Sequence, residues 1–139
     1  VQGDLQILPV LGGDVLRIDQ LHQDDELCVL ALLLQADGRR VAVMGDMFEL
    51  GPTEKQMHYE VGKYAADLGI DILVCIGQLS EHMATGASEQ CSKTQVFYLE
   101  TKDDFFEQAD RILNPKDTVL VKASNGMKFS EIVNVLKER

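Results

Sequence analysis

The fold is decided by the stretch Val41–Thr53, which reads VAVMGDMFELGPT. Its apolar run, Val41 to Met44, ends at Gly45-Asp46, and a polar loop then leads to Thr53, where a helical pattern begins. This order predicts a buried parallel strand, a loop at its carboxyl end and a helix. Ligands of open α/β sheets bind outside the carboxyl ends of the strands, so Asp46 is predicted to lie where a ligand would bind.

Further apolar runs alternate with helical patterns along the rest of the chain. They are Ile70–Ile76, Val96–Leu99 and Thr118–Val121. Thr53 with Gln56 predicts a capping box, Gly69 a helix C-cap and Thr101 a helix N-cap. Alternating strands and helices predict an α/β fold, namely a Rossmann-like, mostly parallel sheet with helices on both faces.

The first part of the chain has a different pattern. Leu5–Leu8 and Val15–Ile18 are strand-like runs on either side of Gly12-Gly13, which predicts an N-terminal β-hairpin at the edge of the sheet. Leu27–Leu34 then forms a predicted helix that is apolar on every face. Such a helix is either buried in the core or forms an interface with another domain or another copy of the chain, which would allow self-association.

Composition narrows the range of partners. The 139 residues are 45% hydrophobic and carry a formal net charge of −10. This is typical of one globular domain whose surface repels nucleic acid and anionic membranes. The longest apolar run is too short to span a bilayer. The three cysteines lack metal-ligand spacing and indicate a reducing, cytoplasmic compartment, and the three histidines are too dispersed to predict a metal site.

Polar residues follow several of the predicted strands, and in a parallel sheet these loops meet at one edge. Our candidate substrate-binding residues are Asp46, Glu49, Lys122, Ser124 and Asn125. Lys122 and the helix N-terminus behind Ser124 suit an anion such as a carboxylate. Gly45, Gly77, Gln78 and Ser80 belong to the same predicted edge.

Each candidate also has a purely structural interpretation. Asp46 can cap the turn before its helix, Ser124 can be a plain N-cap, and Lys122 can be a solvated surface residue. A Lys directly after a buried strand is nevertheless uncommon, which favours a function for Lys122. His58, near the same edge, fits a surface or packing role better than a catalytic one. No catalytic residue is predicted.

Nucleotide and nucleophile motifs are missing from the sequence. There is no G-x-x-x-x-G-K-[ST], no G-x-G-x-x-G and no G-x-S-x-G pattern. The chain therefore has no phosphate cradle for ATP and no nucleophile elbow. It is predicted to supply half of an active site rather than a whole one.

Two segments resemble the C-terminal domain of the Mur ligases. They are Gly38–Gly51, GRRVAVMGDMFELG, and Leu120–Met127, LVKASNGM, in which Ala123 stands where the family usually has Gly. His58–Gly62 and Leu68–Asp71 resemble the family's segments between them in the same register. The resemblance spans about residues 38–136 and is closest to the branch that adds D-alanyl-D-alanine to a UDP-N-acetylmuramoyl-tripeptide (UDP-MurNAc-tripeptide).

This resemblance implies an ATP-dependent, three-domain ligase of peptidoglycan precursor synthesis. Other domains would hold the UDP-MurNAc-tripeptide, ATP and Mg²⁺, whereas this one would help bind D-alanyl-D-alanine and close over ATP. The chain alone is then expected to be inactive. The resemblance implies a single domain over residues 1–139, with a divergent part, 1–37, and a well-matched core, 38–139. In the divergent part only Ile18 and Asp19 match the family's nucleotide-facing ID-[DN]-SYNANP segment.

Two other classes of function remain open. A receiver-type signalling domain is also a parallel α/β domain with acidic residues near one edge and a Lys after its last strand. That Lys is usually followed by Pro, whereas Ala123 follows Lys122 here, and Asp46 comes after an early strand. A non-catalytic α/β interaction module is the other alternative, indicated by the apolar Leu27–Leu34 segment.

Overall fold

The described residues form one six-stranded sheet. A computed structural model describes residues 3–9, 16–17, 38–47, 51–114, 117–124 and 130–137. Its strands are β1 (Gly3–Pro9), β2 (Leu16–Arg17), β3 (Arg40–Gly45), β4 (Ile72–Ile76), β5 (Gln95–Leu99) and β6 (Thr118–Ser124). They lie in the order β2-β1-β6-β3-β4-β5. Strands β6, β3, β4 and β5 are parallel, which confirms the predicted α/β fold with a mostly parallel sheet.

Helices follow the parallel strands. They are α1 (Glu54–Leu68), which a 3₁₀ turn at Gly51–Thr53 precedes, α2 (Ser80–Ser88), α3 (Lys102–Ile112) and α4 (Ser130–Lys137). The predicted caps at Thr101 and Gly69 are confirmed, since the Thr101 hydroxyl accepts from the Asp104 amide at 3.2 Å and Gly69 has a φ of 73°. The capping box at Thr53 is wrong. Its side chain makes no cap hydrogen bond, because the 3₁₀ turn replaces the extended backbone that an N-cap needs.

Two apolar layers enclose the sheet. Because successive side chains of a strand point to opposite faces, Val41 and Val43 of β3 belong to the core layer under α3 and α4, whereas Ala42 and Met44 belong to the layer under α1 and α2. These four residues are at most 1% exposed. Full burial of a Val or Met side chain contributes about 1.5–3 kcal/mol, so the two-sided apolar run stabilises the centre of the sheet.

The chain reverses its winding between β3 and β6. After β3 it continues to α1 on one face of the sheet, whereas α4, which follows β6, contributes Ile132 to the core on the other face. The two strands are parallel neighbours, with Met44 opposite Lys122. Such a switch point opens a crevice at the carboxyl ends of the two strands, which is where Asp46 and Lys122 were predicted.

A partly buried ion pair holds the opposite, amino end of the sheet. Arg39 donates from Nε to Asp117 Oδ1 at 3.0 Å, and from its terminal nitrogen to Oδ2 and to the Ile112 carbonyl, both at 2.7 Å. Its hydrogen bond with Asp117 raises the pKa of Arg39. Asp117 is 2% exposed and also accepts from the Asn114 amide. Arg39, part of the Gly38–Gly51 segment, therefore joins the starts of β3 and β6 far from the switch point.

The N-terminal strands extend the sheet beyond β6. Strand β1 is antiparallel to β6 along its whole length and pairs with β2 through Gln6 opposite Arg17 and Ile7 opposite Leu16. The predicted turn at Gly12-Gly13 lies outside the described residues, so the complete hairpin stays a prediction. The Leu27–Leu34 helix also lies outside them. No helix in the described part of the chain is long and apolar enough to cross a membrane.

Candidate functional site

Asp46 is anchored to the start of helix α2. It is 6% exposed, and its Oδ1 accepts from both the backbone amide and the hydroxyl of Ser80 at 2.8 Å. A carboxylate at this position satisfies an amide at the N-terminus of α2 and interacts favourably with the helix dipole. Asp46 thus caps a helix that begins 34 residues later in the chain.

The anchor depends on a glycine at the end of β4. Gly77 has a φ of 115°, a backbone conformation that other L-residues rarely adopt. A Cβ built on Gly77 would lie 2.6 Å from the carboxylate carbon and from both carboxylate oxygens of Asp46. The absence of a side chain at residue 77 therefore makes room for the Asp46 carboxylate.

Met47, the next residue, is held by helix α1. The Met47 amide donates to Nε2 of His58 at 2.9 Å, and Nδ1 of His58 lies 2.6 Å from the Glu54 carbonyl. His58 is fully buried, and this burial lowers the pKa of its imidazole, although the bond to Glu54 and the charge of Asp46 act in the opposite direction. His58 is therefore a buried residue of α1 that is hydrogen-bonded to the loop after β3, and not a surface residue.

Lys122 is buried within β6, two residues before the strand ends. It is 2% exposed, and it lies on the same face of the sheet as Leu120 and its strand partner Met44. The interpretation of Lys122 as a solvated surface residue is therefore wrong.

The five predicted residues differ in how far the structure locates them. Asp46 directly follows β3, as predicted, whereas Lys122 lies within the neighbouring strand β6 rather than directly after it, because β6 continues to Ser124 by pairing with β1. Ser124 is the last residue of β6 and pairs with Gly3. The side chain of Ser124 and the whole of Glu49 and Asn125 lie outside the described residues, so their roles stay predictions.

A cleft opens at the carboxyl ends of β4 and β5. Its volume is about 470 Å³, and it is lined by Gln78, Glu81, Tyr98, Glu100 and Thr101. Burial raises the pKa of the Tyr98 phenol, and the negative charges of Glu81, Glu100 and Asp46 raise it further. The cleft is therefore polar, acidic and electrostatically coupled to Asp46.

Comparison with known proteins identifies the family. Residues 11–125 match the family model described as "Mur ligase, glutamate ligase domain", which is more than half of the chain. The chain belongs to the Mur ligase family. This membership removes the basis for the receiver-type alternative.

Two curated relatives show a kind of Mur ligase to which this domain is similar. The UDP-N-acetylmuramoyl-tripeptide–D-alanyl-D-alanine ligase of Bacillus subtilis (strain 168) is 35% identical over 105 residues, an alignment that covers 76% of this chain and 23% of the ligase. The ligase of the same name from Haemophilus influenzae is 29% identical over 145 residues, covering 100% of this chain and 31% of the ligase. The Mur ligase domain thus spans about a quarter to a third of the length of these relatives.

A solved structure agrees with this assignment. MurF from Acinetobacter baumannii superposes on the Mur ligase domain with a TM-score of 0.69 and 26% sequence identity, covering 79% of this chain and 24% of that one. The shared fold thus covers most of this chain. No comparison supports the self-association that the apolar Leu27–Leu34 segment predicted.

The structural roles of three residues of the Mur ligase domain were missed by sequence reasoning. Ser80 and Gly77 were placed at the correct edge of the sheet but were not linked to Asp46, and His58 was given a surface or packing role. The available signals were a Gly directly after a buried strand and a His one helical turn after Glu54. Neither signal shows which distant residue will be the partner.

Proposed function

We propose that this Mur ligase domain is the C-terminal part of an ATP-dependent ligase that joins D-alanyl-D-alanine to UDP-MurNAc-tripeptide in peptidoglycan precursor synthesis. The observation that carries the proposal is the pairing of Met44 with Lys122, which puts the ends of β3 and β6, with Asp46, at one switch point. The names of the Bacillus subtilis and Haemophilus influenzae relatives support this choice of reaction.

The role that fits these residues is binding and positioning of the dipeptide. D-Alanyl-D-alanine carries an ammonium group at one end and a carboxylate at the other. Lys122 supplies positive charge for the carboxylate, with Ser124 and Asn125 as further contacts, and Asp46, supported by Glu49, supplies negative charge for the amine.

Positioning explains how such a domain accelerates the reaction. A dipeptide amine held against an activated carboxylate reacts as in a nearly unimolecular step, which lowers the entropic part of the barrier. Closure of the domain over the rest of the ligase excludes water from the activated carboxylate. The chain then contributes geometry and electrostatics and no nucleophile of its own.

We assign ATP and Mg²⁺ mainly to parts of the ligase beyond this chain. The sequence has no G-x-x-x-x-G-K-[ST] loop, so its residues do not form the usual cradle of amides and Lys around a triphosphate. We further propose that residues 1–139 are one domain with 38–139 as its core. The free thiols of Cys75 and Cys91 suit a cytoplasmic enzyme.

Kinetics of Lys122 variants test the function. In the intact protein we expect Lys122→Ala and the length-conserving Lys122→Met to raise the KM for D-alanyl-D-alanine about tenfold or more, as loss of a charged contact worth over ~1.4 kcal/mol would. The control is Lys93→Ala, since Lys93 is 64% exposed and pairs with Asp71 at the amino end of the sheet. Folded Lys122 variants with unchanged KM and kcat for the dipeptide would show that Lys122 has no such role.

A further inference from the structure

The hydrogen bonds of His58 fix one protonation state. The Glu54 carbonyl only accepts, so Nδ1, at 2.6 Å, must carry the proton. The Met47 amide only donates, so Nε2, at 2.9 Å, must be bare. The imidazole is therefore neutral and bridges the backbone of its own helix to the backbone of the loop that leaves β3.

The loop that leaves β3 is tied to two different helices at successive residues. Ser80 of α2 holds the side chain of Asp46 with two hydrogen bonds of 2.8 Å. His58 of α1 holds the peptide group between Asp46 and Met47, because it accepts from the Met47 amide. A side chain can be fixed only as well as the backbone that carries it, so both ties are needed to orient the Asp46 carboxylate.

We propose that His58 is a positioning residue that sets the orientation of Asp46 for the dipeptide, by clamping the peptide group that follows Asp46. This inference rests on the proposed function, because it gives Asp46 a role toward the substrate. His58 does not touch the reacting atoms and is not a catalytic residue. Its effect reaches the substrate through one backbone hydrogen bond.

A residue that only fills the core would behave differently. An apolar residue of similar volume can preserve packing at position 58 but cannot accept from the Met47 amide, which would be left buried without its partner. Gln retains both an acceptor and a donor on a side chain of comparable reach. The pair His58→Leu and His58→Gln therefore separates hydrogen bonding from packing.

Protonation of the His58 imidazole provides a second way to break its hydrogen bond with the Met47 amide. An imidazolium has a proton on both nitrogens, so Nε2 can no longer accept from Met47. The charged groups that act on His58 are Asp46 and Glu54, which favour protonation, and His82, which opposes it. Burial outweighs the two carboxylates and lowers the pKa of His58. The hydrogen bond from the Met47 amide to Nε2 is therefore intact at neutral pH and is lost only in acid.

The test compares His58→Leu, His58→Gln and the control Tyr59→Phe in the intact protein. Tyr59, the next residue on the helix, donates to Glu89 at the surface, so its variant also removes one hydrogen bond, but away from the loop. We expect His58→Leu to raise the dipeptide KM about five- to tenfold, the usual effect of one hydrogen bond. We expect His58→Gln to stay within about twofold of the wild type and Tyr59→Phe to have no effect.

The pH profile and NMR keep the test decisive if His58→Leu does not fold. The wild-type KM for the dipeptide should rise in acid below the ordinary His pKa, and the rise should be absent in His58→Gln. Imidazole ¹⁵N shifts of the wild type should show a protonated Nδ1 and a bare Nε2 at neutral pH. A protonated Nε2, or identical pH profiles of KM in the wild type and His58→Gln, would overturn the inference.

The outcome also separates this inference from the proposed function. If Lys122→Met raises the dipeptide KM and a folded His58→Leu does not, the positioning role is wrong and the proposed function stands. If neither variant changes the KM, neither Lys122 nor His58 contributes to binding of the dipeptide, and the proposed binding role and the positioning role both fail.

Discussion

At the scale of single residues, the Asp46 site depends on the Cβ atom that Gly77 lacks. Gly77 combines a φ of 115° with a space that the Asp46 carboxylate fills, 2.6 Å from where a Cβ would be. Gly51 also has a positive φ, 77°, but a Cβ there would meet no atom within 4 Å. A side chain at either position would be strained by the positive φ, but only at residue 77 would it also collide with a neighbouring side chain.

Gly77→Ala should destabilise the protein more than Gly51→Ala. The left-handed backbone costs either Ala about 1–2 kcal/mol, and at residue 77 the collision with Asp46 adds about 1–3 kcal/mol. Urea unfolding measures both values. We also expect Gly77→Ala alone to raise the dipeptide KM, because the carboxylate must move. Equal destabilisation of the two variants would mean that the Asp46 carboxylate can move away from the added methyl group without loss of stability.

His58 should make stability depend on pH in a defined direction. Its folded-state pKa is lowered from 6.5, mainly by burial. Between 6.5 and the lower folded value, the unfolded state binds more protons, so the free energy of unfolding falls as the pH falls. Above pH 6.5 His58 is neutral in the folded and the unfolded state, so it adds no pH dependence to the free energy of unfolding there. Unfolding measured from pH 5 to 8 should show this loss in the wild type and a smaller one in His58→Gln. If the free energy of unfolding fell by the same amount in the wild type and in His58→Gln over this pH range, the prediction would be wrong.

At the scale of elements, helices α1 and α2 cross with their backbones in contact. A Cβ on Gly62 of α1 would lie 1.8 Å from the Met83 carbonyl oxygen, and a Cβ on Gly86 of α2 would lie 2.2 Å from that of Tyr59. The two glycines thus let each helix approach the other. This close crossing holds Ser80 and His58, one on each helix, around the loop that contains Asp46.

Gly62→Ala and Gly86→Ala should each destabilise the protein, although Ala favours a helix by about 1 kcal/mol over Gly. The helices must separate to admit the methyl group, and overpacking of this kind costs about 1–3 kcal/mol or more. Lys63→Ala, an exposed change on the same helix, is the control and should stay within about 0.5 kcal/mol. A thermal unfolding midpoint at or above that of the wild type in either Gly variant would refute the backbone contact.

At the scale of the whole molecule, the sequence predicts the layers better than the site. Two-sided burial makes β3 and β4 apolar along most of their length, so runs such as Val41–Met44 and Ile70–Ile76 were recognisable, and the parallel order then put Asp46 and Lys122 at one edge. The ties of Asp46 to Ser80 and of Met47 to His58 join segments 34 and 11 residues apart. Local patterns carry no information on such pairings, which depend on how the helices cross.

The predicted dependence on other domains can be tested with the chain itself. The 139 residues contain a switch-point crevice but no phosphate loop, so a mixture with ATP, Mg²⁺, UDP-MurNAc-tripeptide and D-alanyl-D-alanine should release no phosphate above background. The intact protein should release phosphate only when both substrates are present. Release by the chain alone, abolished by Lys122→Met and retained by Lys93→Ala, would place the whole active site within residues 1–139. It would overturn the view that this domain positions one substrate for chemistry carried out with other domains.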